Sequence, residues 1–137
     1  MKIIFIEPPG YQAVTEAHMP PLAAISLASF LKSRNSCEVE ILDAPIEGLS
    51  WGDVHMHITR SRPDIVAAGS ITSCVHSRFA LMKMVKEIDQ NIVTIMGGFH
   101  VSLTPKESLS ECAAIDYIVV GEGEETLLEL LDAIKER

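Results

Sequence analysis

Gly97-Gly98-Phe99-His100 and Gly121-Glu122-Gly123-Glu124 are the two stretches of this chain whose residue types and spacing bear most directly on chemistry. Adjacent glycines at the end of an apolar run allow a ligand to approach the backbone closely, or allow positive φ in a tight turn. His100 follows at once and offers a ring nitrogen to a neighbour. A Gly-x-Gly at a helix start can aim backbone N–H groups at an anion. Here, however, Glu122, Glu124 and Glu125 would repel a phosphate while suiting the positive end of the helix dipole. Ser70, Thr72 and Ser73 place hydroxyls after another apolar run, able either to hydrogen-bond a ligand or to build a turn. Pro8-Pro9-Gly10 closes the first apolar run and opens a long loop that contains His18. Metal chemistry has no local support. The histidines lack His-Glu-x-x-His spacing, and Cys37, Cys74 and Cys112 stand too far apart for a Cys-x-x-Cys clip. These thiols read as inert residues of a cytosolic protein.

The elements that must hold these loops alternate along the chain. Lys2 to Ile6 is a β-branched run that reads as a strand ending at Glu7. After Pro20-Pro21, Leu22 to Lys32 is a helix with Ala24, Leu27, Ala28 and Leu31 on one face. Glu38 to Leu42 is a second strand, with Asp43 at its carboxyl end. Ser50-Trp51-Gly52-Asp53 is a capping-box pattern that starts the next helix. Ile65 to Ala68 is a third strand, followed by a helix striped by Leu81, Met84, Val85 and Ile88. Ile92 to Met96 is the fourth strand. Thr104-Pro105-Lys106-Glu107 then sets an N-cap, a proline at the first helical position and a carboxylate three residues on, so a helix is expected there. Ile115 to Val120 is the fifth strand, and Leu127, Leu130, Leu131 and Ile134 stripe the last helix.

Strands alternating with amphipathic helices specify a parallel sheet covered on both faces, an α/β three-layer sandwich. Five such units fit the flavodoxin-like (Rossmann-like) order 2-1-3-4-5, whose switch point lies between strands one and three. The loops Glu7–Pro21, Gly69–Val75, Gly97–Thr104 and Gly121–Glu125 then surround one crevice. The chain of 137 residues is read as a single domain. Its net charge of −8, without a run of Lys or Arg, argues against nucleic acid and anionic membrane as partners. No apolar stretch approaches the ~20 residues that span a bilayer, and no charged leader precedes one, so a soluble, cytoplasmic protein is expected.

Taken in order, these residues resemble the N-terminal cobalamin-binding domain of cobalamin-dependent radical SAM enzymes. In that family the first strand ends in Pro-Pro, as Pro8-Pro9 does, and the first helix opens with Pro-Leu and small residues, as Pro21-Leu22-Ala23-Ala24 does. The second strand ends in Asp-Ala, as in Asp43-Ala44, the third in a Gly-Ser turn, and the fourth in Gly-Gly-x-His. A Pro-Glu type helix start and an Asp-Tyr strand running into Gly-Glu-Gly-Glu-x-Thr are matched by Pro105 to Glu107, by Asp116-Tyr117 and by Gly121 to Thr126.

The resemblance implies a flavodoxin-like domain that carries the corrin over the strand ends and takes the cofactor's nucleotide tail beside the Gly-Gly turn. The implied cofactor-binding residues are Pro8, Pro9, Ser70, Thr72, Ser73, Gly97, Gly98, His100, Gly121 and Glu122. Relatives of the methionine-synthase type supply a lower cobalt ligand from Asp-x-His-x-x-Gly. Here Glu16-Ala17-His18-Met19-Pro20-Pro21 keeps the histidine but not the aspartate or glycine, so His18 is not expected to be an obligatory ligand. The chain has no Cys-x-x-x-Cys-x-x-Cys to hold a [4Fe–4S] cluster. A radical SAM domain using S-adenosylmethionine and that cluster is therefore expected downstream, with residues 1–137 as its cobalamin-binding partner. Methyl transfer or oxidative cyclisation is the implied activity of the whole. The alternative is a degenerate cobalamin fold that serves only as an interaction module. A phosphoacceptor receiver would need paired acidic residues after strand one and a lysine ending strand five, and an FMN-binding flavodoxin would need a Ser/Thr-rich loop after strand one. Neither pattern is present.

Overall fold

The run Ile3-Ile4-Phe5-Ile6 places successive side chains on opposite sides of a strand, and every one of them is buried. This is the mark of a strand covered on both faces. In the computed structural model, which describes residues 1–10, 20–34 and 36–136, that strand is central. Strands β1 (Lys2–Glu7), β2 (Glu38–Asp43), β3 (Ile65–Gly69), β4 (Val93–Gly97) and β5 (Tyr117–Ile118) form a five-stranded sheet in the order β2-β1-β3-β4-β5. All pairings are parallel. The flavodoxin-like order read from the sequence is the one observed.

The helices are α1 (Leu22–Ser33), α2 (Ala44–Glu47), α3 (Trp51–Ser61), α4 (Val75–Ile88), α5 (Phe99–Leu103), α6 (Pro105–Glu111) and α7 (Glu124–Lys135). One core joins Ile4, Ile6, Val66, Ala68 and Met96 of the sheet to Val54 and Ile58 of α3 and to Val75, Phe79, Met82 and Val85 of α4. The other joins Ile3, Phe5, Ile65, Ala67 and Ile95 to Ala28 and Leu31 of α1 and to Leu127 and Leu131 of α7. Leu31 and Leu131 are wholly buried, and each such leucine contributes ~1.5–3 kcal/mol.

Local differences from the sequence reading have local causes. The fifth strand was expected over Ile115 to Val120, yet only Tyr117–Ile118 pairs with β4. Single bonds from Asp116 N to Thr94 O and from Val119 N to Met96 O flank that pair, and Gly121 at φ 74° then turns the chain away. Two short helices and a 3-10 turn (Thr72–Cys74) occupy stretches that read as loops. Helix α2 forms because Asp43 accepts from Ile46 N, Pro45 suits the first turn, and Gly48 ends it at φ 65°. Helix α3 starts with the expected capping box, Ser50 and Asp53 satisfying each other's backbone N–H.

Thr104 corrects a sequence expectation. Helix α6 does begin at Pro105, but the Thr104 side chain makes no capping bond. The hydroxyl donates instead to His100 O at 3.0 Å. Helix α5 ends immediately before it, and the same carbonyl also accepts Thr104 N–H at 3.1 Å, so the hydroxyl reinforces the last turn of α5 instead of capping α6.

Candidate functional site

β1, β3, β4 and β5 deliver Glu7, Gly69, Gly97 and Ile118 to one edge of the sheet, the carboxyl edge, and every candidate residue within the described segments leaves the sheet there. His18 lies outside the described residues. Gly69 and Gly97 are partners in the β3–β4 register. Neither has positive φ. A Cβ on Gly69 would meet nothing within 4 Å, and one on Gly97 would only touch Val119 O at 3.5 Å. Two side-by-side glycines that the backbone does not require leave a bare floor at the edge, and close approach by another group is what such a floor permits.

Gly98 is different in kind. It sits at φ 91°, ψ 178°, a region open essentially to glycine alone. A Cβ there would fall 2.6 Å from both the backbone N and the backbone O of Ser70. The loops after β3 and β4 are therefore pressed together. Ser70 N and Oγ donate to Gly97 O at 2.9 and 3.3 Å, and His100 N donates to Ser70 O at 3.2 Å. Ser70 is buried and its polar atoms are engaged within the protein. Thr72 and Ser73 are exposed on the 3-10 turn. Thr72 Oγ1 meets His100 Nδ1 at 3.2 Å. That bond orients the half-buried imidazole and leaves Nε2 for another partner. When Thr72 donates, Nε2 carries the proton and is itself a donor.

The loop after β5 is joined to the same assembly. Gly121 takes positive φ for its turn, and its N–H donates to Ser102 Oγ of α5 at 3.1 Å. Glu122 is exposed beside it. Pro8 is buried and Pro9 partly so, directly after β1. An apolar rim stands out from the edge: Leu22, Ile71, Phe99, Leu103 and Val120 are all exposed, Phe99 and Leu103 at 78% and 81%. The edge is thus an open, largely apolar platform with a polar notch at Thr72 and His100. A groove of about 490 Å³ between β2 and α3 lies elsewhere on the molecule. No cluster of metal-ligating side chains occurs among the described residues.

Sequence reasoning missed Arg78. Its guanidinium is buried under the edge, where Nε donates to Gly69 O at 3.1 Å, Nη1 donates to Ser77 Oγ at 2.9 Å, and Nη2 pairs with Glu7. Burial lowers its pKa to about 10, and at neutral pH it remains a cation. The signal was present in the sequence. Arg78 lies three residues after Val75 and four before Met82, on the buried stripe of α4, where a charge is expensive unless paired. Gly69 was read as the end of a strand and the start of a crevice loop, but was not named among the binding residues.

The family model described as the B12 binding domain matches residues 10–131. An uncharacterized methyltransferase of Pyrococcus horikoshii is 36% identical over 98% of this chain, which corresponds to 29% of that protein. The anaerobic magnesium-protoporphyrin IX monomethyl ester cyclase of Rubrivivax gelatinosus is 34% identical over 98% of the chain and 24% of its own length. Among solved structures, the radical S-adenosylmethionine methyltransferase TsrM from Kitasatospora setae shares the fold with a TM-score of 0.81 at 21% identity. That likeness covers 98% of this chain and 26% of TsrM. The chain therefore spans about a quarter of the length of these three proteins.

Proposed function

We propose, from the premise that this chain belongs to the B12 binding domain family, that it holds cobalamin across the carboxyl ends of β1, β3, β4 and β5. The observation that carries the placement is the bare floor at Gly69 and Gly97, which the fold itself does not need. A corrin is broad and largely apolar at its faces, and it suits an open platform rimmed by Ile71, Phe99, Leu103 and Val120. Gly97 and Gly69 would receive the nucleotide tail, beside the wall that Gly98 and Ser70 form by close backbone contact. Pro8 and Pro9 bound the crevice on the β1 side, and Gly121 and Glu122 on the β5 side. His100, oriented by Thr72, presents Nε2 to the cofactor's amide or phosphate groups, and Ser73 offers a further hydroxyl. When bound, cobalamin supplies the alkyl-carrying and redox chemistry of its cobalt, while the protein orients it and excludes water.

The whole protein is a larger machine on this reading. The relatives are several times longer than the chain, which supports a downstream radical SAM domain using S-adenosylmethionine and a [4Fe–4S] cluster. Methyl transfer and cyclisation are the two activities the relatives' names suggest; for the second, an oxidative ring closure is our reading. Among the described residues no helix is long and apolar enough to cross a membrane.

A binding titration with hydroxocobalamin, read from the visible spectrum, tests the site. The Gly69→Leu variant is expected to keep the circular dichroism spectrum and melting temperature of the parent, since its Cβ enters open space. It should lose at least roughly tenfold in affinity, about 1.4 kcal/mol. Undiminished binding by that folded variant excludes this floor as the cofactor's seat. A parent chain that binds no cobalamin leaves the domain as an interaction module.

A further inference from the structure

Helix α1, which follows β1, packs on one face of the sheet, and α4, which follows β3, packs on the other. Adjacent strands whose connections depart to opposite faces leave a crevice between their loops. Arg78 spans that crevice from below. One planar group is bonded at once to Glu7, the last residue of β1, and to the carbonyl of Gly69, the last residue of β3, while Ser77 takes a third donor. Pro8 begins the next residue after the first contact, and Ser70 after the second. Beyond the last β1–β3 pair, Phe5 and Ala67, this one side chain ties the two strand ends together.

The position is an expensive one for a charge. The Arg78 side chain is 7% exposed and that of Glu7 28%, and Val75, Phe79 and Met82 around it on α4 belong to the apolar core. Replacing a buried ion pair by apolar groups of similar volume is often neutral for stability or better, so stability alone does not account for it. Lysine could neutralise Glu7, but its single ammonium lacks the flat fork that reaches a carboxylate and a carbonyl together.

We propose that Arg78 is a positioning residue for the cofactor: with Glu7 it sets the width of the crevice between the Pro8-Pro9 shelf and the Gly69/Gly97 floor. This rests on the reading that the edge binds cobalamin. It acts through the two loops and does not itself touch the cofactor.

The test uses Arg78→Lys and the double variant Glu7→Gln/Arg78→Met, with melting temperature, hydroxocobalamin affinity and the visible circular dichroism of the bound corrin measured on each. The double variant leaves no unpaired buried charge, so it is expected to melt near the parent. It should nevertheless bind at least tenfold more weakly and alter the dichroic bands, which report how the corrin is held. Arg78→Lys keeps the charge and should show the same change to a smaller degree. It also carries the test if the double variant fails to fold. Parent-like affinity and parent-like bands in a folded variant of either kind overturn the proposal while leaving cobalamin binding intact. A parent chain that binds no cobalamin overturns both.

Discussion

Gly98 and Gly69 are two residues of one type with opposite sensitivities, and the difference lies in what a single added carbon would meet. At Gly98 it would press on the Ser70 backbone at 2.6 Å and strain a left-handed φ. At Gly69 it would meet nothing within 4 Å. Gly98→Ala is therefore expected to destabilise by at least about 1–3 kcal/mol, whereas Gly69→Ala should lie close to the parent. Urea midpoints of the two variants check this, and equal midpoints would contradict the packing of the β3 and β4 loops described above. The sequence reading grouped Gly97 and Gly98 as one turn. It had no means to separate them, because the constraint on Gly98 comes from Ser70, distant in the chain and adjacent only in space. His100 was singled out as a candidate from its place in Gly-Gly-x-His, while its partner Thr72 was noted separately. Their hydrogen bond is a product of the fold.

At the scale of elements, the two helix starts singled out in the sequence behave differently. Ser50 and Asp53 form a reciprocal box at α3. Hydrogen bonds from the Ser50 hydroxyl and backbone N–H hold the Asp53 carboxyl below its ordinary value of 3.8. A carboxyl depressed by folding stabilises the fold above its ordinary pKa, and that contribution fades as pH falls through the folded value. Ser50→Ala should cost roughly 0.5–2 kcal/mol at neutral pH, with the gap to the parent narrowing below pH 3.8. Chemical denaturation across that range measures it, and a gap independent of pH would show that the carboxylate takes no part. Thr104 matches the same cap signature in sequence, yet its hydroxyl serves α5. A cap signature counts residues along one helix and is blind to a second helix ending beside it. Asp116-Tyr117, part of the family resemblance, has a structural task at the opposite edge of the sheet. Asp116 accepts from Lys86 Nζ at 2.6 Å and from Thr94 N at 2.8 Å, which pins the two-residue β5 to β4.

Across the whole molecule, the far side of the sheet is held by a mixed cluster on β1, β2 and α3. Glu40 pairs with Lys2 at 2.8 Å and with His57 at 2.5 Å. Burial pushes its carboxyl upward, but the hydrogen bonds from Lys2 and His57 outweigh burial and leave it below the ordinary 4.5. Its contribution is therefore present above that value and lost as the medium becomes more acidic. Glu40→Gln should lower stability by roughly 0.5–1 kcal/mol at neutral pH and flatten the acid limb of the stability curve below pH 4.5. A variant whose acid limb still matches the parent's would place the acid sensitivity in other carboxylates. The sequence alone determined the sheet, its order and the edge that carries the loops. The sheet and its loop-bearing edge follow from local periodicity and from the rule that parallel strands need covering helices on both faces, and the order from the count of five β/α units, which fits the flavodoxin-like arrangement. It also carried the ordered motifs that mark the B12 binding domain family. Only the tertiary structure decided which glycines are free, where Thr104 donates, how short β5 is, and that Arg78 joins Glu7 to Gly69. Those outcomes depend on distances between segments far apart in the chain, and periodicity along the chain carries no information about such distances until the sheet has brought the segments together.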